Sequence, residues 1–288
     1  MYDQAANLRS RIENNGEGSK TRTIAVMSGK GGVGKSNISL NMALTLSGNG
    51  YKVLLIDMDI GMGNIDILMG TSPPYTIADF FQNNVGLERI IVSGPQSLHY
   101  IAGGTGLSHF IDFDPMHMSR FMDEFQQLLY QYDFVFFDMG AGISEHSSKF
   151  ILSAEDIIVV TTTEPPSITD AYAAVKHVKL LNDRIPFHFI VNRVQNEKEG
   201  KETFQRINGA LKKFLGIETA FLGSIPDDQN ISMAVKRQIP LVLYNDRSPA
   251  AKGIKQVADL LIKPIDDIQS MKKKTNFVAN LRRLLFER

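Results

Sequence analysis

The chain has 288 residues, enough for one large domain, or at most two, with a sizeable buried core. Its 31 Lys and Arg balance 31 Asp and Glu, so it lacks the strong positive charge of a protein that coats nucleic acid, and no nucleic-acid partner is expected. It contains no cysteine, which excludes disulfides, thiolate zinc sites and Cys-held iron–sulfur clusters and fits a cytoplasmic setting.

The chain opens on a polar stretch with no apolar core of signal-peptide length, and no run approaches the roughly 18 apolar residues of a spanning helix. A short helix is expected over Asp3–Glu13, followed by a loose Gly-, Asn- and Ser-rich linker to Arg22. From 23 onward, short apolar runs alternate with helix-length stretches. The runs TIAVM (23–27), KVLLID (52–57), LHYIAG (98–103), DFVFFD (133–138), EDIIVVTT (155–162), PFHFIVN (186–192) and AFLGSIP (220–226) read as buried strands. Helices are expected at 35–47, 116–130, 144–154, 167–182 and 199–215. This alternation predicts an α/β fold, a mostly parallel sheet covered by helices on both faces, with ligands bound beyond the carboxyl ends of the strands. After Pro264 the alternation stops. The expected division is therefore an N-terminal helix and linker (1–22), the α/β domain (23–264) and a C-terminal segment (265–288).

The first strand runs directly into Gly29-Lys30-Gly31-Gly32-Val33-Gly34-Lys35-Ser36, a GxxxxGK[ST] loop followed by Asn37 and the first core helix. Glycines let such a loop curl its N–H groups inward onto phosphate oxygens, and the following helix dipole favours the same anion. Lys35 is placed to reach the β- and γ-phosphates, and the Ser36 hydroxyl to coordinate Mg²⁺. ATP or ADP with Mg²⁺ is the expected cofactor set.

With lysines at both ends, the loop resembles the deviant Walker A motif of the MinD/ParA group of P-loop ATPases. That resemblance implies an ATP-state homodimer in which Lys30 reaches the partner's nucleotide. Strand two ends in LLIDMDIGMGNID, similar to the group's switch I segment, which implies that Asp59 activates the attacking water and Asp57 sits near Mg²⁺. Asp138, with Gly140-Ala141-Gly142 after it, occupies the Walker B and switch II position and is assigned to the metal. FIVNR and IPDD resemble the adenine-contacting segments, which assigns Asn192 to the base and Pro226, Asp227 and Asp228 to its cover. TEPPSITDA resembles a further segment of the group and places Asp170 near the dimer face.

Both ends carry further signals. Phe277, Val278, Leu281, Leu284 and Leu285 form one apolar stripe on a helical wheel. Six basic residues (Lys272, Lys273, Lys274, Arg282, Arg283 and Arg288) surround it. A basic amphipathic helix of this kind reads as a reversible anchor on an anionic membrane, so a peripheral position on the inner face of the cell membrane is expected. At the other end Asp3, Gln4, Ala5, Leu8 and Arg9 form a D-Q-A-x-x-L-R motif similar to that of the FlhG (YlxH) family of MinD-like ATPases. That likeness implies control of flagellar number and placement, stimulation of the GTPase FlhF by this helix, and contacts with flagellar switch proteins. The alternatives are a cell-division-site MinD or ParA-type partition ATPase, and a P-loop metabolic ligase.

Overall fold

The computed structural model describes residues 21–60, 62–104, 115–142, 145–182, 185–262 and 277–286. The N-terminal helix expected over 3–13, with Asp3, Gln4, Ala5, Leu8 and Arg9, lies outside the described residues, as do Lys272, Lys273, Lys274 and Arg288.

In chain order the elements are β1 (Arg22–Met27), α1 (Lys35–Gly48), β2 (Val53–Met58), α2 (Ile65–Met69), α3 (Ile77–Gln82), α4 (Leu87–Ile90), β3 (Val92–Ser93), β4 (His99–Ile101), α5 (Pro115–Leu129), β5 (Phe134–Met139), α6 (Glu145–Ser153), β6 (Asp156–Thr162), α7 (Pro165–Leu181), β7 (Phe187–Val194), α8 (Glu197–Leu215), β8 (Ala220–Pro226), α9 (Gln229–Lys236), α10 (Leu241–Tyr244), α11 (Pro249–Ile262) and α12 (Phe277–Phe286). Among the described residues they form an eight-stranded sheet ordered β3-β4-β2-β5-β1-β6-β7-β8. Every pairing is parallel except β3 with β4.

The central strands are buried on both faces, as their unbroken apolar sequences require. One face packs against α1, α9, α10 and α11, and the other against α3 to α8 and α12. Helix α1 is buried almost all round, because the sheet lies on one side and α11 on another. At the base of the sheet Asp156 accepts from Arg22 Nε at 2.6 Å and meets His188 Nε2 at 3.0 Å, while Arg22 also donates to the Leu261 carbonyl at 2.6 Å. That cluster ties β1, β6 and β7 to the end of α11.

The expected strands and five expected core helices are all present. Elements α2, α3, α4, β3, α9, α10 and α11 were not among the expectations. Most of these are too short to show a period, and α11 carries Gly253 at its middle, where a Cβ would lie 3.2 Å from the Ser224 carbonyl. The glycine lets α11 lie directly on β8.

The C-terminal stripe, expected to face a membrane, is docked on the α/β domain in this structure. Phe277, Val278 and Leu281 are buried in the protein's own core, with Leu284 and Leu285 half-buried at its edge. The Phe277 ring stacks on Phe137 at a centroid distance of 4.7 Å and meets Phe125 edge-on at 5.5 Å. Helix α12 lies against α5 and α6, and Arg282 bridges to Asp123 of α5 at 2.8 Å. An apolar stripe is satisfied equally by lipid or by aromatic side chains, and here the aromatic cluster has it. No helix among the described residues is long and apolar enough to cross a membrane.

Candidate nucleotide site

The site lies where β1, β2, β5 and β7 deliver their carboxyl ends to one edge of the sheet. Strand β1 feeds the loop 28–34, and Gly34, at φ +93°, caps α1 in a left-handed conformation. Gly32, at φ +79°, makes the same turn two residues earlier. Alternating turns of this kind aim successive N–H groups into one concavity. Gly29 is forced by packing: a Cβ there would sit 2.1 Å from the Asp170 carbonyl of α7. Asp170 itself is half-buried, with its backbone against the loop.

The two lysines have different settings. Lys35 is buried, and its Nζ lies 2.9 Å from Asp138 Oδ1. Lys30 is exposed at the mouth of the loop. Ser39, one turn beyond Lys35 on α1, also places its hydroxyl 2.8 Å from Asp138 Oδ1, and 2.7 Å from the Lys35 carbonyl. It was not singled out in the sequence, although a serine four residues after the loop lysine in a buried helix is a readable signal. Asp138 Oδ2 is buried with no partner among the described residues.

Asp57 lies opposite Asp138 in the β2–β5 register, and both are fully buried. Its carboxylate is held by the switch I backbone: Asp59 N donates to Oδ1 at 2.9 Å, and Asn64 N and Ile65 N donate to Oδ2 at 2.9 and 3.2 Å. Burial, and next the Asp138 carboxylate, push its pKa up to about 7 despite those bonds. Asp59 is half-buried against switch II, where a Cβ on Gly140 would come within 3.1 Å of its Oδ1. Burial raises its pKa, Lys35 opposes the rise, and Asp138 adds to it.

Two adjacent buried carboxylates, of which only Asp138 is paired with a lysine, leave negative charge that a cation would neutralise. The orphaned Asp138 Oδ2, the half-buried Ser36 at the start of α1, and Asp59 across from it therefore fit a hard, oxygen-seeking ion such as Mg²⁺. Among the described residues no group of three or more His, Cys, Asp or Glu forms a closed metal cage.

On the other flank, Asn192 at the end of β7 donates from Nδ2 to the Val33 carbonyl at 2.7 Å. Its Oδ1 is buried and without a partner among the described residues, as is the neighbouring Thr162 hydroxyl. An unspent buried acceptor here suits an exocyclic amine of a base. Asn37 lies on the first turn of α1 and accepts from Asn41 Nδ2, while Asn41 Oδ1 accepts from Val242 N of α10 at 2.9 Å. Helix α10 is therefore pinned to the phosphate-loop helix. Pro226 pairs with Val194, and Asp227 N donates to the Val194 carbonyl at 2.9 Å. Asp228 has no free oxygen: it caps α9 by accepting from Asn230 N at 2.9 Å, and it accepts from Ala250 N at 3.1 Å. Against the pull of burial, those bonds keep its carboxyl below the usual range. Both of its oxygens are thus engaged within the protein.

Comparison with known proteins agrees with this arrangement. The ParA family, in its NUBPL iron-transfer P-loop NTPase form, matches residues 19–262. Antiactivator FleN of Pseudomonas aeruginosa is 32% identical over 237 residues, covering 82% of this chain and 85% of its own. Flagellum site-determining protein YlxH of Helicobacter pylori is 32% identical over 273 residues, covering 90% of this chain and 87% of its own. Among solved structures, the Pyrococcus horikoshii septum site-determining protein MinD complexed with Mg-ADP is 27% identical. It superposes with a TM-score of 0.71 over 88% of this chain and all of its own. The absence of cysteine sets this chain apart from any thiolate-held iron carrier on the same scaffold. From the phosphate loop, the paired carboxylates, the sheet order and these likenesses, the chain belongs to the ParA/MinD family of P-loop NTPases.

Proposed function

We propose that this protein is an ATP-hydrolysing, dimerising switch that binds a membrane surface and controls flagellar number and placement. The observation that carries the reading is the division of labour between the lysines, Lys35 inside on Asp138 and Lys30 exposed at the loop mouth. The flagellar assignment is supported by the FleN and YlxH likenesses and by the N-terminal D-Q-A-x-x-L-R motif.

On nucleotide binding, Lys35 exchanges Asp138 for the β- and γ-phosphate oxygens. Ser36, with Asp57 and Asp138 behind it, is the set that would hold Mg²⁺, which when bound neutralises charge on those oxygens. Asp59, with its raised pKa, orients the attacking water. Lys30 crosses to the nucleotide of a second copy, so ATP assembles a homodimer and hydrolysis releases it. Asn192 Oδ1 receives the adenine amine, under the cover shaped by Pro226, Asp227 and Asp228.

The C-terminal stripe cannot face Phe137 and lipid at once. Membrane binding therefore requires α12 to leave the core, and that exchange gives the switch its two states. In the dimer two such helices act together, which raises avidity over a weakly held monomer. The N-terminal motif acts separately, with Leu8 in a groove of FlhF and Gln4 towards its GTP. A peptide of residues 1–20 should stimulate FlhF hydrolysis, and Gln4→Ala should weaken the effect.

The decisive test of the core reading is light scattering with Mg-ATP. Asp59→Ala should accumulate dimer, and Lys30→Ala in that background should return it to monomer while ADP binding persists. A dimer indifferent to Lys30→Ala would remove the trans role.

A further inference from the structure

The sequence motif that singles out Asn192 leaves the next residue, Arg193, without a role. Its backbone lies at φ +57°, a left-handed conformation that a long side chain rarely adopts. The β7–β8 register shifts at this point, between Asn192 and Val194. In a regular strand, neighbouring side chains point to opposite faces. The bulge re-aims Arg193 so that two consecutive side chains reach the same loop. Asn192 Nδ2 meets the Val33 carbonyl at 2.7 Å, and Arg193 Nη2 meets the Gly32 carbonyl at 2.9 Å.

Those carbonyls are the outer surface of the phosphate loop. A loop that turns its N–H groups inward must turn carbonyls outward, and outward carbonyls need donors. The Lys30 carbonyl accepts from Ser28 Oγ at 2.9 Å, and the Gly34 carbonyl from Ile38 N at 3.0 Å. Between them, the Gly32 and Val33 carbonyls, which lead into the left-handed Gly34, are held by Arg193 and Asn192. Gly34 completes the fit, since a Cβ there would come within 2.4 Å of Asn192 Nδ2.

We propose that Arg193 is a positioning residue for nucleotide binding: with Asn192 it clasps the phosphate loop from outside and holds it in the phosphate-receiving shape before nucleotide arrives. The inference rests on the phosphate-loop reading. It also explains why the strand keeps an arginine in a conformation that glycine would adopt at no steric cost.

The test uses the full chain without nucleotide, then with ADP as the probe. Arg193→Gly removes the guanidinium and relieves the left-handed backbone. ADP affinity by calorimetry should fall about tenfold, the scale of one charge-assisted hydrogen bond. Amide exchange over residues 28–37 should quicken while the unliganded melting temperature stays within about two degrees of the parent. Arg193→Lys, which keeps the charge without the planar fork, should fall between. Parent-like ADP affinity in Arg193→Gly overturns the inference. So does weakened binding with unchanged exchange over the loop, and so does faster exchange throughout the molecule with a lower melting temperature. A parent chain that binds no ADP overturns the phosphate-loop reading itself.

Discussion

Lys35, Asp57 and Asp138 occupy one buried volume with a net negative charge, and their energetics follow from that. Asp57 has its pKa raised to about 7, so in the folded state it holds its proton more tightly than in the unfolded chain. A raised carboxyl contributes stability below its unfolded value near 3.8 and loses it as pH climbs towards 7. Nucleotide-free protein should therefore lose stability between about pH 4 and 7 at this group. Lys35→Ala removes the cation paired with Asp138 and leaves two adjacent buried carboxylates without one. It should cost about 3 kcal/mol at pH 8, less at pH 5.5, and should abolish ADP binding. Urea unfolding at several pH values checks this, and a cost independent of pH would contradict it. The phosphate loop was readable from glycine spacing alone, because its chemistry is local. The roles of Asp57 and Asp228 were not. Both carboxylates are consumed by backbone donors that arrive from later segments, Asn64 and Ile65 in one case and Ala250 in the other. The role of Arg193 is not legible in the sequence, because nothing in its neighbours announces a bulge.

At the scale of elements, α12 is the informative case. Its amphipathic period was plain in the sequence, but a period specifies an apolar face and not what covers it. Phe277 packs on Phe137, the residue immediately before Asp138 on β5. The docked helix and the nucleotide site are therefore separated by one strand, with the aromatic ring on one side of it and the carboxylate on the other. Phe125→Ala empties the core side of the Phe277 contact and leaves the stripe intact, so it should destabilise the nucleotide-free protein by about 3 kcal/mol, the usual cost of emptying a buried aromatic site. It should also strengthen binding to anionic vesicles without nucleotide, because it weakens the docked state. Chemical denaturation and vesicle pelleting measure the two effects. A loss of stability with no gain in vesicle binding would mean that α12 is a fixed part of the core. Deleting the C-terminal segment should likewise lower stability, because it uncovers Phe125 and Phe137.

For the whole molecule, alternating apolar runs and helical stretches were enough to predict a parallel sheet covered on both faces. They did not predict the strand order, which depends on crossovers rather than on any residue, nor the short antiparallel edge of β3 and β4. The architecture joins three places: a loop mouth with an exposed lysine, a carboxylate pair behind it, and a helix docked on the far side of β5. On the proposed function, ATP trades one arrangement for another, a docked monomer for a membrane-bound dimer. The chain has no tryptophan, so a single Leu284→Trp at the edge of the docked stripe gives a clean reporter in the Asp59→Ala background. The measurement is quenching of that tryptophan by brominated lipid in anionic vesicles. Strong quenching is expected with Mg-ATP, weak quenching with Mg-ADP, and loss of the ATP-dependent part when Lys30→Ala is added. Equal quenching with both nucleotides, or none when light scattering shows a dimer, would contradict the proposed function.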